Sequence, residues 1–341
     1  DQIASSRLNL QPVGSGPYKF DKLIIEGGEI KGIQLSAFEA YYAKKPFIEH
    51  MVLRYYTYSA AALKAYQDDK VQGISQVSAD ILPAVLASPD LGVYTGRKPE
   101  LTMILFNHKD PQAVFPKAAA VRRALLLGLN RTRLINQVMN GQAILAHGPI
   151  FPEIWAYYDG IEKFDYDLTA ADKALKDVGY PAPTEKGAAR KKGDSVLSFE
   201  LLYPSEPLFK SLAELVKKDW EALGVQVSLV GVPYTQLVNE RLEQRNYQAA
   251  LVSLNFSRTP DPDPYPFWAQ SQAQGGQNYS QWSNRSASEY LEQARVTADY
   301  SLRAKLYRNF QVVFARELPA LPLYVPPSSA LPILFCASSY S

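Results

Sequence analysis

An α/β fold, with helices layered on open sheets, is what this chain predicts, and three observations predict it. Between residues 196 and 254, strand-like runs (196–203, 225–230, 247–254) alternate with helical periods (209–223, 234–244). Strands separated by helices of that length need helices to cover the sheet they form. The 341 residues leave room for two or three hydrophobic cores, and 47% hydrophobic with 21% charged is an ordinary globular composition. No run approaches the roughly 20 apolar residues that cross a bilayer. In sheets of this kind, ligands bind beyond the carboxyl ends of the strands.

The elements follow in order. Pro12-Val13-Gly14-Ser15-Gly16-Pro17 is a turn in which two glycines supply backbone angles closed to other residues and Pro17 fixes the next one; Tyr18-Lys19-Phe20 then begin a strand. Residues 18–25 and 30–38 flank Glu26-Gly27-Gly28-Glu29 as a hairpin, and 48–56 is a further strand. An Ala-rich helix at 60–68 and a short strand at 70–74 make a β-α-β arrangement, followed by a short helix at 80–87 and a buried strand at 101–107. Residues 118–139 carry the longest helical signal, broken at Asn130-Arg131-Thr132 and ended by Asn140-Gly141. After an extended aromatic stretch to Tyr158 comes a helix at 168–178, stopped by Gly179 and Pro181, and an exposed loop at 183–194 holding Arg190-Lys191-Lys192. Beyond the alternating region, residues 255–284 show no regular pattern, and two helices (286–298, 301–317) lead into a Pro-broken extended segment at 318–325.

Composition excludes several classes of chemistry. A net charge of +2, without basic runs interleaved with aromatics, gives no footprint for nucleic acid. Cys336 is the lone thiol, so no internal disulfide and no four-thiolate metal site can form. The three histidines, His50, His108 and His147, lack metal-ligand spacing, and no Gly-x-Ser-x-Gly elbow occurs, so neither a catalytic constellation nor a cofactor site is legible. Asp261-Pro262-Asp263-Pro264 alternates carboxylates as a calcium loop does, but without the closing Gly and Glu; it reads as a rigid turn bonding local amides. The aromatics of 255–284 (Phe256, Tyr265, Phe267, Trp268, Tyr279, Trp282) and of Trp155-Ala156-Tyr157-Tyr158 either line a binding cleft or pack as a satellite core.

Six segments, in order, carry a family resemblance. They are Gly14-Ser15-Gly16-Pro17-Tyr18-Lys19-Phe20; Tyr41-Tyr42-Ala43-Lys44-Lys45-Pro46 with Ile48; Leu105-Phe106-Asn107; Val121-Arg122-Arg123-Ala124-Leu125 with Leu129-Asn130-Arg131; Tyr247-Gln248-Ala249 through Asp261-Pro262-Asp263; and Asn278-Tyr279-Ser280 with Leu318-Pro319-Ala320-Leu321-Pro322-Leu323. Asn130 and Gln248 stand where the pattern usually has Asp. Together they resemble the family 5 extracellular solute-binding proteins, which include the oligopeptide and dipeptide receptors of ABC importers.

The resemblance implies a periplasmic-binding-protein type II-like fold: two lobes, each a mixed sheet flanked by helices, closing on a peptide or other small-molecule ligand and presenting it to a membrane ABC permease. It implies a monomer without cofactor, metal or catalysis, at the periplasmic or extracellular face, with room for a lipid anchor on a longer protein. Residues 1–116, completed by 319–341, would be part of lobe I, and 117–318 the ligand-facing lobe III; the family pattern has further chain on both sides, so a fragment is expected. Leu254, Asn255 and Phe256 correspond to the strand end that pairs with peptide backbone. Ser257 or Arg258 falls where peptide receptors place the Asp that holds the ligand's ammonium. An Arg there would grip a carboxylate or phosphate instead. Tyr234 and Arg241 echo a Trp-x6-Arg helix, and Trp155, Trp268 and Tyr279 complete the expected lining. The same domain also serves as the solute sensor of some transcriptional regulators, which is the alternative reading.

Overall fold

The computed structural model describes residues 12–327, except 76, 79, 94–98, 113–117, 186 and 257–260. The chain divides into two compact units, with the division between Gly96 and Arg97.

In the first unit, β1 (Tyr18–Glu26) and β2 (Glu29–Ala37) form the expected hairpin. Its turn places Gly27 and Gly28 at φ 60° and 80°, angles that favour glycine. The third strand, β3 (His50–Arg54), pairs antiparallel with β2. A small core of Leu63, Ile74, Ile81, Val85 and Leu91 forms around α1 (Ser59–Gln67) and α2 (Leu82–Leu86). Two expectations fail here. Gly14 and Gly16 adopt no left-handed angle, and a Cβ would meet only ordinary contact with the Gly16 nitrogen at 3.9 Å in the first case and open space in the second, so the opening turn does not require them sterically. The strand expected at 70–74 does not form, because the amides of Asp68, Asp69 and Lys70 close the end of α1 by bonding to Lys64, Tyr66 and Ala65 carbonyls.

The second unit is built on a six-stranded sheet in the order β5-β11-β4-β10-β8-β9. The long members are β4 (Glu100–Phe106), β8 (Ser198–Pro204), β9 (Gln226–Val232), β10 (Ala249–Asn255) and β11 (Ala320–Val325); β5 (Ile144–Leu145) is a short edge. Strands β8, β9 and β10 run parallel, whereas β4 is antiparallel to both β10 and β11. β4 and β11 are hydrogen-bonded neighbours in this sheet, so the segment before residue 116 and the segment after 319 share one sheet.

Side chains along the sheet alternate between two cores, as the period of two requires. Ile104, Phe106, Leu201, Ala249, Leu251, Leu321 and Leu323 face a layer holding α3 (Ala119–Leu127), α4 (Arg131–Met139), α5 (Leu168–Asp177) and α6 (Pro207–Ala222). Met103, Leu105, Leu202, Ala250, Val252 and Leu254 face α9 (Arg285–Val296) and α10 (Tyr300–Glu317). Helix starts follow local side-chain chemistry: Asn130, Asp167, Asn284 and Asp299 each accept the backbone N–H three residues on. Asn130, which stands where the family pattern usually has Asp, is the cap of α4.

The recognition motifs prove to be the molecule's internal ties. Arg122 donates from Nε and Nη2 to the carbonyls of Leu318 and Glu317, both at 2.7 Å, placing a guanidinium on the negative C-terminal end of α10. Arg131, buried, donates to the carbonyls of Ala146, Pro322 and Phe164 at 2.5, 3.0 and 2.5 Å. The buried amide of Asn278 donates to Ala269 and Trp282 carbonyls. Arg190, expected on an exposed loop, is only 4% exposed. It donates to the Leu223 and Tyr180 carbonyls and pairs with Asp172 at 2.5 Å, while the loop's Lys191–Lys192 and Ser195–Val196 form a small hairpin, β6–β7.

Candidate functional site

The carboxyl ends of β8, β9 and β10 meet at one edge of the second unit's sheet, and the predicted ligand residues after β9 and β10 emerge there. β10 pairs with β4 along its whole length, to Asn255↔Glu100, and the Phe256 amide continues the ladder to the Pro99 carbonyl at 2.7 Å. On its other side, β10 pairs with β8 at Ala249↔Leu201 and Ala250↔Leu202. Carrying that parallel register forward sets Pro204, the end of β8, level with Val252. Residues Ser253, Leu254 and Asn255 therefore run past the end of β8. Backbone groups alternate sides along a strand. With Phe256 bonding toward β4, the amide and carbonyl of Ser253 turn to the side that β8 has left.

Side chains on this projection divide by face. Leu254 is buried with the aromatic core, whereas Asn255 is exposed. The half-buried Phe256 ring lies edge-on to Phe151 at 6.1 Å and to Phe267 at 5.0 Å. The next two predicted residues, Ser257 and Arg258, lie outside the described residues.

At the end of β9, Pro233 leads into α7 (Tyr234–Gln236), which widens into a π-helix at Leu237–Leu242. Tyr234 is 57% exposed. Arg241, seven residues later, lies within that π-helix. Arg241 is half-buried, and among the described residues its guanidinium makes no ion pair or hydrogen bond. Tyr279 is half-buried beneath Arg245, whose guanidinium lies 5.0 Å over its ring. Burial first, and Glu243 second, raise the Tyr279 phenol's pKa, with Tyr234 near enough to contribute. Arg245 itself is a tie, donating to Leu242 at 2.6 Å and Gly276 at 2.7 Å.

Trp268 does not reach this edge. It is 1% exposed, with its ring against Phe314 at 4.8 Å and Trp282 at 6.4 Å, because the 255–284 segment folds a short helix, α8 (Tyr265–Trp268), inward onto α9 and α10. Trp268 and Trp282 join the core between the sheet and the α9–α10 layer. Trp155 is different: 37% exposed, it packs edge-on to Tyr300 at 4.9 Å and Tyr307 at 5.8 Å, over the Arg303 guanidinium at 5.1 Å.

Arg303 and Arg295 were not legible as part of this region. The Asp-Pro-Asp turn does more than bond local amides: Asp261 pairs with Arg303, and Asp263 pairs with Arg295 at 3.2 Å while accepting the Tyr265 amide at 3.3 Å. Both carboxylates are thus spent on guanidinium partners, and among the described residues no cluster of side chains could hold a metal ion. The partners lie on α9 and α10, some 30 to 40 residues on, and no local pattern announces such pairs. A cavity of about 840 Å³ lies at the opposite edge of the sheet, lined by Val121, Gly179, Tyr180 and Lys192, and holds none of the predicted site residues.

The chain belongs to the bacterial extracellular solute-binding proteins, family 5, whose middle-region model matches residues 2–277. It is 24% identical over 319 residues to the dipeptide-binding protein of Escherichia coli (strain K12), an alignment covering 92% of this chain and 56% of that protein. Among solved structures it resembles the oligopeptide-binding protein AppA of Bacillus subtilis in complex with a nonapeptide (TM-score 0.65, 24% identity, 96% of this chain and 64% of that one). It also resembles HbpA2 of Haemophilus parasuis (TM-score 0.78, 21% identity, 96% and 62%). The chain thus spans just over half the length of the curated relatives it matches.

Proposed function

We propose that this chain is the ligand-holding part of the substrate-binding component of an ABC importer, working at the periplasmic or extracellular face. It captures a peptide-like or other small polar solute between two lobes and delivers it, unreacted, to a membrane permease. Family membership supports the class, and the peptide-binding names of the relatives support the ligand. The observation that carries the reading is the projection of Ser253–Asn255 past the end of β8. A strand end with backbone groups turned outward binds an extended chain by strand addition, which gives affinity without demanding one side chain.

In this reading the backbone of Leu254, Asn255 and Phe256 pairs with the ligand, while Tyr234, Arg241, Tyr279 and Trp155 border it; Trp268, being buried, supports them from beneath. Arg258 makes the preferred ligand one that offers an anionic group rather than a free ammonium. The test is native mass spectrometry of the protein purified from its own cells, followed by calorimetry with tripeptides bearing free or acetylated amino termini. A retained peptide-sized ligand, and acetylated peptides binding at least as tightly as free ones with Arg258→Ala weakening them, is the expected result. Tight binding of free-amine peptides undiminished in Arg258→Ala would overturn the anionic preference. A folded protein that binds no peptide and retains no solute would overturn the whole reading.

A further inference from the structure

Trp155 and Tyr300 are anomalous among the large aromatics of the second unit. Most are buried in one of the two cores, whereas these stand 37% and 64% exposed and are nevertheless held in place. Each ring is the other's edge-on neighbour at 4.9 Å, Tyr307 closes a second edge of Trp155 at 5.8 Å, and Arg303 lies beneath both, 5.1 Å from one ring and 5.7 Å from the other. Arg303 is locked in turn: its side chain is 13% exposed and ion-paired to Asp261. A rigid, half-exposed aromatic pair offers contact area without the entropy cost of ordering it, the quality that marks anchor residues in recognition sites. Two links tie it to the ligand strand. Phe151, four residues before Trp155, packs on Phe256, and Asp261 lies five residues beyond Phe256 on the same segment.

Resting on the importer reading above, we propose that Trp155 and Tyr300 form a shelf beside the end of β10 that takes an aromatic or large apolar side chain of the bound peptide. Arg303 is the positioning residue that holds the shelf. The occupant is not a second cation, because a guanidinium already lies against these rings and a like charge beside it is disfavoured. Nor is a small polar group matched to the shelf, since covering half-exposed rings with apolar surface is what would drive binding.

The experiment uses protein labelled with 5-fluorotryptophan, whose four tryptophans give separate ¹⁹F lines, with Trp155→Phe assigning the one of interest. Two series are titrated: N-acetylated tripeptides that differ only by Phe or Ala at each position, and N-acetylphenylalaninamide alone at millimolar concentration. A Phe peptide should bind about tenfold tighter than its Ala counterpart and shift the Trp155 line. Trp155→Ala should bring the two peptides within about twofold of each other, the Phe peptide losing the larger share of its affinity. Tyr300→Ala, at a mostly exposed position that folding tolerates, should narrow the gap in the same direction. Equal loss for both peptides in these variants, or Phe peptides binding without moving the Trp155 line, would overturn the shelf. If no peptide binds, the importer reading fails by itself. The shelf then stands if N-acetylphenylalaninamide shifts the Trp155 line, and falls if it does not.

Discussion

Lowering the pH should unfold the second unit through His108. This histidine follows β4, and its Nε2 donates to the Pro319 carbonyl at 2.9 Å, at the entrance to β11. Burial first, and the neighbouring Arg122 cation second, drive its pKa from the ordinary 6.5 down to about 4. An unfolded His108 therefore takes up a proton between about pH 6.5 and 4 while the folded one stays neutral. Stability falls as pH drops through that window and levels off below it. The full window is worth about 3 kcal/mol, of which about 2 kcal/mol is lost by pH 4.5. His147, also held near 4, chiefly by burial and then by Arg131, adds a contribution of the same sign. The assay is urea unfolding followed by tryptophan fluorescence at pH 7.0, 6.0, 5.0 and 4.5, since all four tryptophans belong to the second unit. In His108→Gln an amide replaces the ring donor without titrating, so the fall in unfolding free energy from pH 7 to 4.5 should shrink by about 2 kcal/mol. Parallel pH profiles for the variant and the parent would refute the reasoning.

Two further perturbations probe one tie in each unit. Asn107, 2% exposed, donates to Arg245 and Tyr247 carbonyls at 2.8 and 3.1 Å and accepts from the Lys109 amide and Gln281. Asn107→Ala strands these buried groups together and should cost roughly 3 kcal/mol in urea unfolding; a loss under ~1 kcal/mol would show that water or a local shift replaces the amide. In the first unit, a side chain at Gly32 would place its Cβ 2.3 Å from the Leu53 carbonyl oxygen, a backbone atom that cannot yield without moving β3. Gly32→Ala should therefore raise hydrogen exchange at Ile33, Leu35, Met51 and Leu53 by about an order of magnitude or more, and unchanged protection there would mean the strands part without cost.

Much of the fold was legible because its signals are local. The Gly27-Gly28 turn and the apolar periods of α6 and α10 act within a few residues, where sequence order is spatial order. The errors share the opposite cause. A strand at 70–74 had suitable residues, but the backbone there closes the end of α1 instead, and Arg190 found its carbonyls on segments 10 and 33 residues away. At the candidate site the same division holds. Trp155 and Trp268, equally plausible in sequence, are told apart only by packing, which leaves the first partly exposed and buries the second.

The sequence alone determined the class of protein: six motifs in order, an α/β alternation and a charge balance without a nucleic-acid footprint sufficed, since each is read from residue types and spacing. Tertiary structure decided what those motifs are for. Arg122, Arg131 and Asn278 recur in the pattern as buried donors to backbone carbonyls far along the chain, a role visible only when distant segments meet. It also decided where β8 stops beside β10, and hence which backbone groups are turned outward. Strand register is set by packing of both cores against the sheet, and no single strand contains that information.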